Sequence, residues 1–137
     1  MPVYYPHVVA AGSAYCSGAG GNCPSEVSTT GSYPRAYQIH DPAGSAHPAY
    51  RMTLELNPSQ GQYYAVQGTT WQNPPILTGA TQTQTVQGKR LLEYWGGHRL
   101  NLVAWRSQGV LYWISNTLTD GLTNRQMVAI AASLSPA

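Results

Sequence analysis

Apolar and polar residues alternate most regularly along HPAYRMTLEL, residues 47 to 56. Tyr50, Met52, Leu54 and Leu56 are separated by Arg51, Thr53 and Glu55. That two-residue period marks a strand with one buried face. RAYQIH, residues 35 to 40, reads as its hairpin partner, because the intervening DPAG has the Asp, Pro and Gly order of a type I turn. QYYAVQGTTW, residues 62 to 71, is a third strand by its aromatic and β-branched content, with Gly68 expected to mark a bulge. TQTQTVQG, residues 81 to 88, predicts an exposed strand. KRLLEYW, LNLVAW and VLYWISN follow, separated by GGHR and RSQG, and predict a meander. Leu100, Leu102 and Ala104 are expected on one face, with Asn101, Val103 and Trp105 on the other. In VLYWIS, Val110, Tyr112 and Ile114 oppose Leu111 and Trp113. Both sets are bulky, so part of the sheet is expected to be covered on both sides.

The period changes after residue 120. LTNRQM places Thr123 as a helix N-cap with Gln126 three residues on, a capping box, and sets Leu122 against Met127 as a hydrophobic staple. Met127, Ile130, Ala131 and Leu134 then share one helical face. Asp120 and Gly121 form the preceding turn, and Pro136 lies past the end. The helix is expected to cover one side of the sheet. At the other end of the chain, Pro2, Pro6, Pro24 and Pro34 argue against helix, and VYYPHVV reads at most as an edge strand.

The expected fold is therefore α+β: a mainly antiparallel sheet of about six or seven strands with one C-terminal amphipathic helix packed on it. A length of 137 residues suits a single domain with one core. It divides into a Pro/Gly-rich loop segment (1–34), the sheet (35–118) and the helix (123–134). Charged residues make up only 9% of the chain and the net charge is +2, so Gln, Asn, Ser, Thr and Tyr must supply the polar surface. The basic cluster that nucleic-acid binding requires is missing. No apolar run approaches the roughly 18 residues of a membrane span. MPVYYPHVVAAGSAY lacks the basic and apolar regions of a secretory signal, so an export signal is expected on a longer precursor.

Candidate chemistry is sparse. Cys16 and Cys23, in YCSGAGGNCP, are expected to form a disulfide, which points to an extracytoplasmic compartment. Their spacing exceeds the usual zinc spacing, and no second cysteine pair exists. His40, Asp41 and His47 lie near one another, but at a turn where polar residues belong anyway. Of the acids, Asp41 and Asp120 read as turn residues, while Glu55 and Glu93 are expected on the polar sides of strands. No spacing links two of them as an acid–base pair, and no G-x-S-x-G nucleophile motif occurs. No catalytic residue, metal site or cofactor is expected. The aromatic residues remain. Tyr64, Trp71, Trp95, Trp105 and Trp113 lie on or beside predicted strands, among Gln, Asn and Thr, and are the candidate contact residues for a glycan.

PVYYP, PRAYQIHDPAG, HPAYRMTLEL, GQYYAVQGTTWQNPPIL and LVAWRSQGVLYWISNTLTDGLTNRQMVAIAASL, in this order, resemble the C-terminal region of actinobacterial LytR–CpsA–Psr family proteins. That family comprises membrane-anchored, extracytoplasmic enzymes that transfer lipid-linked glycopolymers onto peptidoglycan. The arginines and aspartates of its catalytic domain have no counterpart here. The resemblance therefore implies an appended accessory domain of a cell-envelope protein, not an enzyme. Its implied partners are a cell-wall glycopolymer or the transferase domain of a longer chain, with membrane attachment only through a segment outside this one. The alternative reading is a secreted structural subunit that self-associates through weakly charged aromatic surfaces.

Overall fold

The computed structural model describes residues 3–11, 13–16, 35–57 and 62–136. The segment between Cys16 and residue 35 lies outside them. Cys23 falls within that segment, and with it the expected pairing to Cys16. The strands are β1 (Tyr4–Tyr5), β2 (Ala14–Tyr15), β3 (Arg35–His40), β4 (Ala46–Asn57), β5 (Gln62–Thr69), β6 (Gln82–Val86), β7 (Lys89–Gly96), β8 (Arg99–Ser107), β9 (Val110–Ser115) and β10 (Ser135–Pro136). Among the described residues one helix, α1 (Asn124–Ser133), precedes β10, and a single 3₁₀ turn spans Pro75–Leu77. The main sheet runs β2-β4-β5-β9-β8-β7-β6, all antiparallel, with β3 sharing the outer edge of β4 with β2. β1 pairs with β10 as a separate two-stranded ribbon. The expected α+β architecture is thus the observed one.

Turn chemistry sets the register. Gly44 has φ 88°, and its N–H donates to the Asp41 carbonyl over 2.9 Å. A left-handed Gly after a type I turn makes a three-residue hairpin loop, which places Ala46 opposite His40 and Arg51 opposite Arg35. Gln87–Gly88 and Gln108–Gly109 both have positive φ at each position, the I′ geometry that matches strand twist. Gly96 pairs with Arg99 and Ser107 with Val110, so the GGHR and RSQG turns are tighter than the sequence suggested.

The two faces separate cleanly. Helix α1 packs over β8, β9 and β7. Under it lie Leu54, Tyr64, Leu91, Leu100, Val103 and Ile114, joined by Met127, Ile130 and Ala131 from the helix. Each buried Met, Ile or Leu there contributes about 1.5–3 kcal/mol. The capping box is present: Thr123 accepts from the Gln126 N–H at 3.1 Å, and the Gln126 side chain accepts from the Thr123 N–H at 2.8 Å. Leu122 and Met127 are both fully buried, as a staple requires. Lys89 Nζ reaches across to the carbonyls of Ala132 and Leu134, at 2.5 and 2.6 Å, and satisfies the helix C-terminus. The far face carries a smaller cluster of Leu77, Leu102, Ala104, Leu111 and Trp113, covered by the 3₁₀ turn. Tyr94 ties that turn down through its hydroxyl, 2.6 Å from the Leu77 carbonyl.

Four strand expectations need correction. Leu100 does not share a face with Leu102. The register shifts between Tyr94 and Trp95, which pair with Leu102 and Leu100, and the extra residue turns Leu100 under the helix beside Val103. Gly68 sits in unbroken register between Tyr50 and Tyr112. It is glycine because a Cβ there would lie 2.4 Å from Tyr50 Cε1. Glu55 and Glu93 are 5% and 2% exposed, not displayed on polar strand surfaces. The third strand also ends at Thr69, two residues short of the expected limit.

Candidate functional site

The sheet brings chemistry together mainly on its far face. Arg35 and Arg51 are direct neighbours across the β3–β4 ladder, and both are exposed. Side chains so placed have Cβ atoms about 4.5–5.5 Å apart, and like charges in that relation repel. Neither arginine forms an ion pair with a described residue. Tyr37 lies two pairs further along, on the same face, and donates its hydroxyl to Gln67 Oε1 at 3.1 Å. Burial pushes the Tyr37 phenol up, and the two arginines pull it partly back. Arg90 and Arg106 lie on the same face near the opposite edge of the sheet. Four of the chain's seven Lys and Arg residues therefore share this face.

Beside Arg51 the far face opens into a trough of about 640 Å³, lined by Thr53, Gln62, Tyr63, Ala65 and Ser115 among others. Small side chains leave its floor low, because Thr53, Ala65 and Ser115 fall in one lateral row across β4, β5 and β9. Tyr63 supplies a ring wall. Gln62 is held by Nε2 donation to Thr119 Oγ1 at 2.9 Å. Leu118, fully exposed, stands at the rim. Such a trough can pack a sugar ring against Tyr63, and it presents hydroxyls, an amide and a guanidinium at its edges.

A second concavity lies on the helix side. It is a groove of about 610 Å³ between α1 and the β6–β7 hairpin, with Trp95 and Leu100 in its floor. Beneath it Glu93 is buried. Trp95 Nε1 donates to Glu93 Oε1 at 3.1 Å, and Gln84 Nε2 donates to Glu93 Oε2. These two bonds hold the indole and fix the strand edge beside it.

The five aromatic candidates do not converge. Tyr64 is buried under the helix, its hydroxyl 2.7 Å from Ser13 Oγ and 3.4 Å from the Ala10 N–H. Trp105 lies on the helix side in a cluster with Tyr4 and Tyr112, at 5.0 and 5.4 Å between ring centroids, with Lys89 Nζ 4.6 Å from its ring. Trp95 floors the helix-side groove. Trp113 is buried on the far face beneath Leu77. Trp71 stacks on His47 at 5.5 Å, at the far-face end of the first hairpin. Trp71, Trp95 and Trp105 stay half-buried, while Tyr64 and Trp113 hold the two cores.

His47 Nε2 lies 2.9 Å from Asp41 Oδ2. The Asp41 carboxyl is pulled below its ordinary range by that bond and by the Ser45 and Ala43 N–H donors. His40 faces the opposite side of the hairpin from His47, which is paired with Ile39, so the three residues do not converge. Among the described residues no group of three metal-ligating side chains occurs. Glu55 and Glu93 point to opposite faces of the sheet, which rules out their working as one carboxylate pair. Among the described residues no helix is long and apolar enough to cross a membrane.

Sequence reasoning missed the Arg35–Arg51 pair, the Tyr63 trough and the Glu93 network. The signal for the first was present: Gly44 at the end of DPAG implies the three-residue loop, and that loop length makes residues 35 and 51 opposite. No family model, curated protein or solved structure matches the chain.

Proposed function

We propose that this chain is a non-catalytic, extracytoplasmic domain of a cell-envelope protein, and that its far sheet face contacts an anionic wall glycopolymer. The observation that carries this reading is the Arg35–Arg51 pair beside the Tyr63 trough. Two exposed guanidinium groups without acidic partners among the described residues favour phosphate or carboxylate, which arginine engages through paired N–H donors. The ring wall and the low polar floor suit a saccharide next to that charge. The resemblance to the C-terminal region of LytR–CpsA–Psr proteins supports the compartment and the class of polymer.

The test is sedimentation of the chain with purified Gram-positive cell walls, before and after the wall glycopolymers are stripped. The expected result is binding that falls on stripping and weakens as salt rises from about 0.05 to 0.5 M, since exposed charge contacts are screened. Arg51→Gln is expected to weaken binding about tenfold without changing stability. Equal binding to both wall preparations, or an Arg51→Gln variant that binds as well as the parent, would sink the proposal. Light scattering on the same samples separates it from self-association, which would appear as concentration-dependent growth in mass.

A further inference from the structure

The helix-side groove lies beside a strand edge that no described residue pairs with. β6 ends the sheet order, and among the described residues nothing pairs with its outer side. The I′ turn at Gln87–Gly88 makes Val86–Lys89 a hydrogen-bonded pair. By antiparallel alternation, Thr83 and Thr85 then direct their N–H and C=O groups outward. β6 carries no charge and no proline, the two commonest devices that keep an edge from pairing. Gln84 and Val86 point to the groove, and α1 forms the opposite wall through Val128, Ala129 and Ala132. A strand laid against Thr83 and Thr85 would thus direct every second side chain into an apolar slot floored by Trp95.

We propose that the β6 edge and helix α1 form a docking site for an extended peptide, which adds to the sheet as an antiparallel strand and inserts alternate apolar side chains over Trp95. Backbone bonds to Thr83 and Thr85 supply register, and the groove selects side chains. Arg125 is the charged residue lining the groove, in the first turn of α1. Trp95 lies at that end of the hairpin, its N–H 3.4 Å from Thr81 Oγ1, whereas Lys89 binds the other end of the helix. An antiparallel peptide therefore runs toward Arg125, which favours a carboxylate at its C-terminal end. A second copy of this chain is a poorer occupant. Its own β6 would offer Gln82 and Gln84 to the apolar slot.

The probe is a synthetic heptapeptide of alternating leucine and threonine with a free C-terminal carboxylate. Binding is read by amide chemical-shift changes and by Trp95 fluorescence, against the Trp95→Tyr variant as reference. The expected result is saturable one-to-one binding, with the largest shifts at Thr83, Thr85 and Val128. Methylating the peptide nitrogens that face β6 is expected to weaken binding at least about tenfold. Val128→Gln should weaken it similarly. Any of three results would overturn the proposal: no saturable binding at millimolar peptide, binding indifferent to nitrogen methylation, or dimerisation through β6 that peptide does not displace. Because the site lies on the opposite side of the sheet from Arg51, Arg51→Gln should leave peptide affinity intact.

Discussion

At the residue scale, several side chains owe their identity to a neighbour distant in sequence. Gly68 is the clearest. Tyr50 and Tyr112 flank it in the ladder, and the Tyr50 ring occupies the space a methyl group would need. That ring cannot withdraw cheaply. Its hydroxyl donates to the Tyr4 carbonyl and accepts from the Tyr4 N–H, both at 3.1 Å, which anchors β1. Gly68→Ala is therefore expected to destabilise the fold by about 1–3 kcal/mol, the usual cost of overpacking a filled core. A urea melt checks it; an unchanged midpoint would mean that the ring moves freely. Glu93 makes the same point for charge. A carboxylate inside a sheet face has to be hydrogen-bonded, and Trp95 and Gln84 provide the bonds. Read along the strand, Glu93 looks like a surface residue, because the sequence does not reveal which partners await it.

At the scale of elements, α1 is held at both ends by different means. Its start is local: the capping box involves residues three apart and was legible directly. Its end is tertiary, since Lys89 on β7 supplies the donors for the last carbonyls. Desolvation holds the Lys89 ammonium below its ordinary range. Thr123→Ala removes the hydroxyl that accepts the Gln126 N–H and should cost about 1 kcal/mol, while Thr123→Ser should cost almost nothing. Thermal melts of the two variants distinguish these outcomes. The turn that delivers the chain to this helix is fixed by Asn116. Its Oδ1 accepts from the N–H groups of Thr117 and Leu122, at 2.8 and 2.9 Å, and its Nδ2 donates to the carbonyls of Leu100 and Leu122. Leu122 is thereby held in place to staple Met127.

At the scale of the whole molecule, tyrosine burial ties stability to alkaline pH. Burial pushes the Tyr112 phenol up to about 12 and pushes Tyr50 up further still, both from an ordinary value of 10.0. In the unfolded chain these phenols ionise near pH 10, whereas in the folded chain they stay protonated to higher pH. Between those limits the native state binds more protons, so stability is fully present below about pH 10 and is lost as pH rises toward 12. Denaturant midpoints measured from pH 8 to 12 should fall only above about pH 10, with phenolate absorbance from the buried tyrosines appearing together with unfolding. A flat midpoint across that range would mean that these rings are hydrated. The cations are also arranged at this scale, because strand pairing gathers Arg35, Arg51, Arg90 and Arg106 onto one face of a nearly neutral chain.

What the sequence determined by itself was local and periodic. The alternation of Tyr50, Met52 and Leu54, the DPAG turn, the exposed Gln/Thr strand, the meander and the capped helix all depend on residues within a few positions of one another. Short-range sterics and hydrogen bonding decide such features. Tertiary structure decided which positions meet. The shift at Tyr94–Trp95 moved Leu100 to the helix side, a change invisible in the alternation itself. Bulk on both faces of VLYWIS was legible in the sequence, but not that the 3₁₀ turn at Pro75–Leu77 would be the element covering Trp113. Both grooves arise from strands distant in sequence, so their linings have no linear motif. Pairing energy depends on register, and a register differing by one residue would have sent every side chain of a strand to the other face.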